Sequence, residues 1–164
     1  MREKTNIYFL AEITRGYGNG DCILLENIDS NGNITHALID TGRNINGGVV
    51  CDFLKRHNVQ KLSFLCITHS HGDHNGDTIS VLSKYKVDLI IMKEFDKHWS
   101  SGGGTQPTYE NIIVKAIEKD IKILGVSFES LGSDEYSPSQ SDNFKNNAIK
   151  EAKKKNLNIS MRKM

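Results

Sequence analysis

At 164 residues the chain fits one domain of ordinary size and can bury a core without disulfide staples. With 37% hydrophobic residues, 25% charged residues and a net charge of +1, the composition excludes a disordered polyelectrolyte and gives no global case for a nucleic-acid or membrane-surface partner. Apolar runs stop after about half a dozen residues, far short of the roughly 20 that a membrane-spanning helix needs.

Asn6 to Ile13 is apolar and partly alternating, the pattern of a strand. Gly16-Tyr17-Gly18-Asn19-Gly20 breaks it, and Cys22 to Glu26 forms a second strand. Asp29 to Asn33, with Asn31-Gly32 inside, is a hairpin turn that leads into a strand over Ile34 to Ile39. These three strands are expected to form an antiparallel meander. The pattern then alternates between the two element types. Helices are expected over Val49 to His57, Thr78 to Lys84 and Tyr109 to Lys119, and strands over Leu62 to Ile67, Val87 to Met92 and Ile121 to Phe128. Ser100 to Pro107 reads as a Gly-rich loop and 130–143 as a long polar surface loop. Phe144 to Lys155 reads as a weakly amphipathic helix and Leu157 to Arg162 as a last strand. No internal repeat or interdomain linker is visible, so 1–164 is read as a single domain of the α/β class.

The N-terminal Met1-Arg2-Glu3-Lys4 has no apolar region behind it, so no signal peptide is expected. Cys22, Cys51 and Cys66 form no CxxC pair and are odd in number, which reads as reduced thiols in a cytoplasm. Residues 145–164 carry seven basic residues against one acid, read as a solvated helix face. Gly102-Gly103-Gly104 lacks the Lys-Ser/Thr of a phosphate-cradling loop, and Trp99 and Tyr109 stand beside no basic stripe.

The chemistry is concentrated in Thr68-His69-Ser70-His71-Gly72-Asp73-His74, directly after an apolar strand. Imidazole and carboxylate are the usual donors to zinc and similar divalent ions. His69 and His71 stand two apart, so an extended chain projects both to one side. Gly72 then lets the chain turn, carrying Asp73 and His74 toward a second ion. Half of the six histidines fall in the hexapeptide His69 to His74, which a scatter of surface histidines would not produce.

At these residues the sequence resembles the metallo-β-lactamase superfamily, whose hallmark HxHxDH is here His69, His71, Asp73 and His74. Leu38-Ile39-Asp40-Thr41-Gly42 resembles the "DTG" strand end that precedes that motif. Gly18-Asn19-Gly20-Asp21-Cys22-Ile23-Leu24 resembles a segment of the branch that includes the soluble domain of the DNA-uptake protein ComEC. The resemblance implies an αββα sandwich, a dinuclear site that is usually zinc, and a metal-activated water attacking an ester, amide or phosphodiester. It implies that His69 and His71 hold one metal and that Asp73 and His74 hold the other. Asp73 would also orient the nucleophile, and Asp40 would fix the tautomer of a ligand histidine. The same ligand types accept manganese or iron. Asp21 reads as shaping its loop.

The resemblance also calls for a third histidine, a bridging aspartate and a final histidine downstream. Only His98 follows His74, and it reads as a solvated or stacked loop residue rather than a ligand. Lys155 to Met161 resembles the strand that opens the second half of the sandwich. The expectation is therefore a chain truncated at its C-terminus, with an incomplete second half and an uncovered sheet. The leading reading is a metal-dependent hydrolase, its activity in doubt if the chain is complete as it stands, with a small-molecule or phosphodiester substrate. The alternatives are a non-catalytic metal-binding remnant or interaction module, a homodimer, or half of a split enzyme completed by a partner chain.

Overall fold

The computed structural model describes residues 2–10, 20–43, 48–69, 71–93 and 106–126. Calls on Gly16 to Asn19, His98, Gly102 to Gly104, the 130–143 loop, the 144–155 helix and the 157–162 strand lie outside them. Strands β1 (Lys4–Phe9), β2 (Ile23–Ile28) and β3 (Ile34–Ile39) form the expected antiparallel meander. The hairpin between β2 and β3 is closed by the Asp29 N–H donating to the Asn33 carbonyl at 3.0 Å. Gly32 takes φ +86°, the left-handed value that a three-residue loop needs at its last position. The Asp29 carboxylate accepts the main-chain N–H groups of Asn31 and Asn33, both at 2.8 Å.

The chain next alternates: α1 (Val49–Arg56), β4 (Lys61–Leu62), β5 (Phe64–Ile67), α2 (Gly72–Asn75), α3 (Thr78–Lys84), β6 (Lys86–Val87), β7 (Leu89–Lys93), α4 (Gln106–Glu118) and β8 (Lys122–Val126). Two expected strands are each divided. Ser63 turns both its N–H and its hydroxyl to the His36 carbonyl, each at 2.8 Å, so the run Leu62 to Ile67 splits. Asp88 donates its N–H to Leu62 at 3.1 Å and divides the run Val87 to Met92. The short outer pieces β4 and β6 then pair with each other in a separate parallel ribbon. Helix α4 starts at Gln106, earlier than the sequence suggests, because Pro107 falls in its first turn, where a missing N–H costs no helical bond.

The main sheet has the order β1-β2-β3-β5-β7-β8, antiparallel through β3 and parallel from β3 onward. The register aligns Tyr8, Leu24, Leu38, Leu65, Ile90 and Ile123 in one row across all six strands. Leu24, Leu38, Leu65 and Ile90 are fully buried and pack with Val50, Leu54, Val81, Leu82 and Ile112 from the helices. The adjacent row, on the opposite face, is Phe9, Ile23, Ile39, Cys66, Ile91 and Leu124. It too is apolar, but Phe9 is 71% exposed and the others are half-buried. A sheet apolar on both faces is one built for a covering layer on each, and among the described residues the helices supply only one. No helix among the described residues is long and apolar enough to cross a membrane.

At the meander end the row on the helix side becomes polar. Asn6 donates to Glu26 Oε1 at 2.7 Å, the Tyr8 hydroxyl donates to the same oxygen at 3.2 Å, and His36 Nε2 lies 3.4 Å from Glu26 Oε2. The Asn6 amide is the main influence holding the Glu26 carboxyl below its usual range; burial opposes it, and His36 and Tyr8 support it.

Two outcomes follow for stability. Leu38→Ala should cost about 2–5 kcal/mol in urea denaturation, because it opens a cavity in the buried row, whereas Ile7→Ala at an exposed position should cost about 1 kcal/mol or less. A depressed carboxyl stabilises the fold above its unfolded value, near 4.3, and that stabilisation is lost as pH falls through the lower folded value. Glu26→Gln should therefore flatten the loss of stability measured below about pH 4.3.

Candidate metal centre

The parallel pairing of β3 with β5 brings the C-terminal ends of both strands to one edge of the sheet. That edge is where open α/β sheets place their chemistry, because the loops leaving adjacent strands diverge and leave a crevice. Asp40 continues the ladder by one bond, its N–H donating to the Cys66 carbonyl at 2.8 Å. It then takes φ +54°, a left-handed value that aspartate tolerates better than most residues, and the turn ends at Gly42 with φ +60°.

The Asp40 carboxylate is 2% exposed and fully engaged. Oδ1 accepts the Thr68 N–H at 2.8 Å, and Oδ2 accepts the Thr68 hydroxyl at 2.7 Å and lies 2.8 Å from His74 Nδ1. The neighbouring Thr41 donates its N–H to the His74 carbonyl at 2.6 Å, and its hydroxyl sits 3.0 Å from that of Thr78. Gly76 donates to the Gly42 carbonyl at 2.9 Å, and Gly42 donates to the Asp21 carbonyl, also at 2.9 Å. The turn at residues 40–42 is thus bonded to both the histidine loop and the loop before β2.

Asp73 and His74 lie on α2, a single turn closed by the N–H groups of His74 and Asn75 on the His71 carbonyl. This helix was not foreseen, since four residues are too few to show a period. It draws the donors together. Donor atoms of His69, His71 and Asp73 lie within 4.8 Å of one another, as do those of Asp21, Asp40 and His74. The His69 ring centroid is 4.7 Å from that of His71 and 3.9 Å from that of His74. The structure therefore unites all four motif residues. Asp73 shares its donor cluster with His69 and His71, and His74 stands against the His69 ring.

Burial lowers the His69 pKa, and the His74 and His71 rings lower it further. The neutral imidazole, which is the form that binds a cation, is favoured. Two imidazoles and a carboxylate on one side of a turn are a donor set suited to zinc, manganese or iron(II), so the residues present fit a divalent cation. His74 offers its Nδ1 edge to two carboxylates, Asp40 Oδ2 at 2.8 Å and Asp21 Oδ2 at 3.9 Å. With a proton on Nδ1, Asp40 accepts it and Nε2 keeps its lone pair; without that proton, Nδ1 is a third donor beside two oxygens.

Thr68, Thr41 and Thr78 were not singled out by sequence reasoning, because a hydroxyl that braces a loop looks like any other threonine. Asp21 was read as a loop residue, and nothing local reveals that its carboxylate reaches His74. The thiols are poor nucleophiles: burial raises the pKa of Cys22, Cys51 and Cys66, and Asp40 raises Cys22 and Cys66 further. Cys66 lies on the half-buried row rather than inside the core.

The family model described as the metallo-β-lactamase superfamily matches residues 15–139. A curated protein of Paracoccus denitrificans, named a UPF0173 metal-dependent hydrolase, is 29% identical over 48 residues. That match covers 29% of this chain and 21% of the relative, so the chain spans about a fifth of the curated protein that it matches.

Asparagine accepts the Asp40 backbone conformation as readily as aspartate does, so Asp40→Asn removes charge with little change of shape. It should weaken Zn2+ binding about 10–100-fold in isothermal titration calorimetry, with an unchanged far-UV circular dichroism spectrum.

Proposed function

Because the chain belongs to the metallo-β-lactamase superfamily, we propose that it is a metal-dependent hydrolase of a single domain, working at the edge where β3 and β5 end. The observation that carries this reading is the convergence of His69, His71 and Asp73 donors within 4.8 Å, beside a His74 ring already held by a buried carboxylate. The printed name of the Paracoccus relative points the same way. The cation is proposed to be zinc, two ions in all, as the HxHxDH resemblance implies; manganese and iron suit the same donors.

His69, His71, Asp73 and His74 are the residues that would hold the metal. When bound, the metal lowers the pKa of water toward about 7 and so makes a nucleophile available at neutral pH. The chain's own contribution is placement. His69 is kept neutral by burial, so no proton need be driven off to free its lone pair. Asp73 accepts a hydrogen bond from the attacking water and orients its oxygen. Asp40, through Thr68 and His74, stops the donors from rotating away.

The substrate is proposed to carry a phosphodiester, from the ComEC-like residues Gly18 to Leu24. A small molecule suits the near-neutral charge better than a long nucleic acid. The free cysteines accord with a reducing compartment. A second reading, a homodimer or complementing chain laid on the outward row, is favoured by the exposure of Ile7 and Phe9.

Purified protein loaded with Zn2+ should hydrolyse bis-p-nitrophenyl phosphate. EDTA should abolish turnover, and Asp73→Ala should lower kcat roughly 100-fold or more. Turnover that survives both EDTA and Asp73→Ala would sink the reading, whereas cation binding without turnover would favour the non-catalytic remnant.

A further inference from the structure

We propose that the outer edge of β1 pairs antiparallel with β1 of a second copy of this chain, about a twofold axis at Ile7. This rests on the dimer reading above and gives it a contact, the strand edge rather than the sheet face. It stands apart from the metal chemistry.

β1 is last in the order of the sheet, so among the described residues it has a strand partner on one side only. Its register with β2 is unbroken from Lys4 to Phe9, and the Leu10 N–H donates to the Cys22 carbonyl at 3.0 Å. Antiparallel bonds alternate along a strand, so Lys4, Asn6, Tyr8 and Leu10 direct their main-chain groups to β2. Thr5, Ile7 and Phe9 therefore turn their N–H and C=O groups to the free side. The side chains of these three residues stand on the outward face and are exposed, Ile7 at 57% and Phe9 at 71%.

Protected sheet edges carry a proline, a bulge or an inward-pointing charge that stops a second strand from docking. Thr5-Asn6-Ile7-Tyr8-Phe9 has no proline and no charged residue, and its register contains no bulge. The three outward-bonding residues are spaced evenly about Ile7, so a copy of the same strand, run the other way, matches each of them. An axis at Ile7 sets Ile7 against Ile7 of the partner subunit and Thr5 against Phe9 of the partner subunit, each pair exchanging both of its bonds. Phe9 then lies diagonal to Ile7 of the partner subunit, within reach of an aromatic ring. Moving the axis to Tyr8 leaves Thr5 opposite no residue of β1, and moving it to Asn6 sets Phe9 against the charge of Glu3. A contact through one strand edge is small, so the dimer is reversible and depends on concentration.

Sedimentation velocity of the full chain over a range of concentrations tests this, run in EDTA to exclude association bridged by metal. The parent should pass from monomer to dimer. Ile7→Pro removes an outward N–H but no bond to β2, so it should abolish the dimer and leave the thermal melt little changed. Ile7→Lys, at the same exposed position, places two ammonium groups together at the axis and should weaken the dimer at least about tenfold, which keeps the test decisive if proline unfolds β1. In hydrogen exchange the Thr5, Ile7 and Phe9 amides should slow as concentration rises, whereas those of Asn6 and Tyr8 are slow throughout. A parent chain that stays monomeric overturns the edge contact and the dimer reading together. A dimer that Ile7→Lys leaves as tight as before, or one in which the Thr5, Ile7 and Phe9 amides stay unprotected, overturns the edge contact alone.

Discussion

The buried carboxylate of Asp40 is the constraint on which the site depends. It emerges from a strand end in a left-handed conformation, almost without solvent, and its two oxygens satisfy Thr68 from the next strand and His74 from the turn beyond. A charge removed from water must be matched by donors, and the donors here are the groups whose positions matter. The cost of burying the carboxylate thus favours the loop arrangement in which Thr68 and His74 supply those three hydrogen bonds.

That fixation works because of the sheet beneath it. Parallel pairing of β3 and β5 places two strand ends side by side, and the row from Tyr8 to Ile123 locks their register through leucine and isoleucine packing. A slip of one residue would turn Leu38 and Leu65 to the opposite face and carry Asp40 away from Thr68. The core therefore sets the distance between the groups that hold the candidate metal centre. The same sheet presents a second apolar row outward, so the scaffold that positions the site also has a face suited to another layer.

Much of this was legible in the residues. The meander, the hairpin at Asn31-Gly32, the helix over Thr78 to Lys84 and the strand over Ile34 to Ile39 follow from apolar periodicity and turn chemistry, which act between near neighbours. The HxHxDH run signalled a cation because three imidazoles and a carboxylate so close together have few other uses. Asp40 was legible as a partner for a ligand histidine through the "DTG" resemblance. Less legible were the boundaries at Ser63 and Asp88, since both residues stand inside continuous apolar runs and leave the ladder for partners distant in sequence.

What the sequence by itself determined is the order and type of the longer elements and the identity of the motif donors, because both depend on spacings of two to four residues. Only the tertiary structure decided which donors meet. Asp21, Asp40 and His74 span more than fifty residues of chain; antiparallel pairing of β2 with β3 brings Asp21 to Asp40, and parallel pairing of β3 with β5 brings the histidine loop to both. The grouping of Asp73 with His69 and His71 is likewise set by one helical turn whose hydrogen bonds close on His71. Local pattern chooses the side chains; long-range pairing sets the few ångströms between them, and those distances decide what the site can bind.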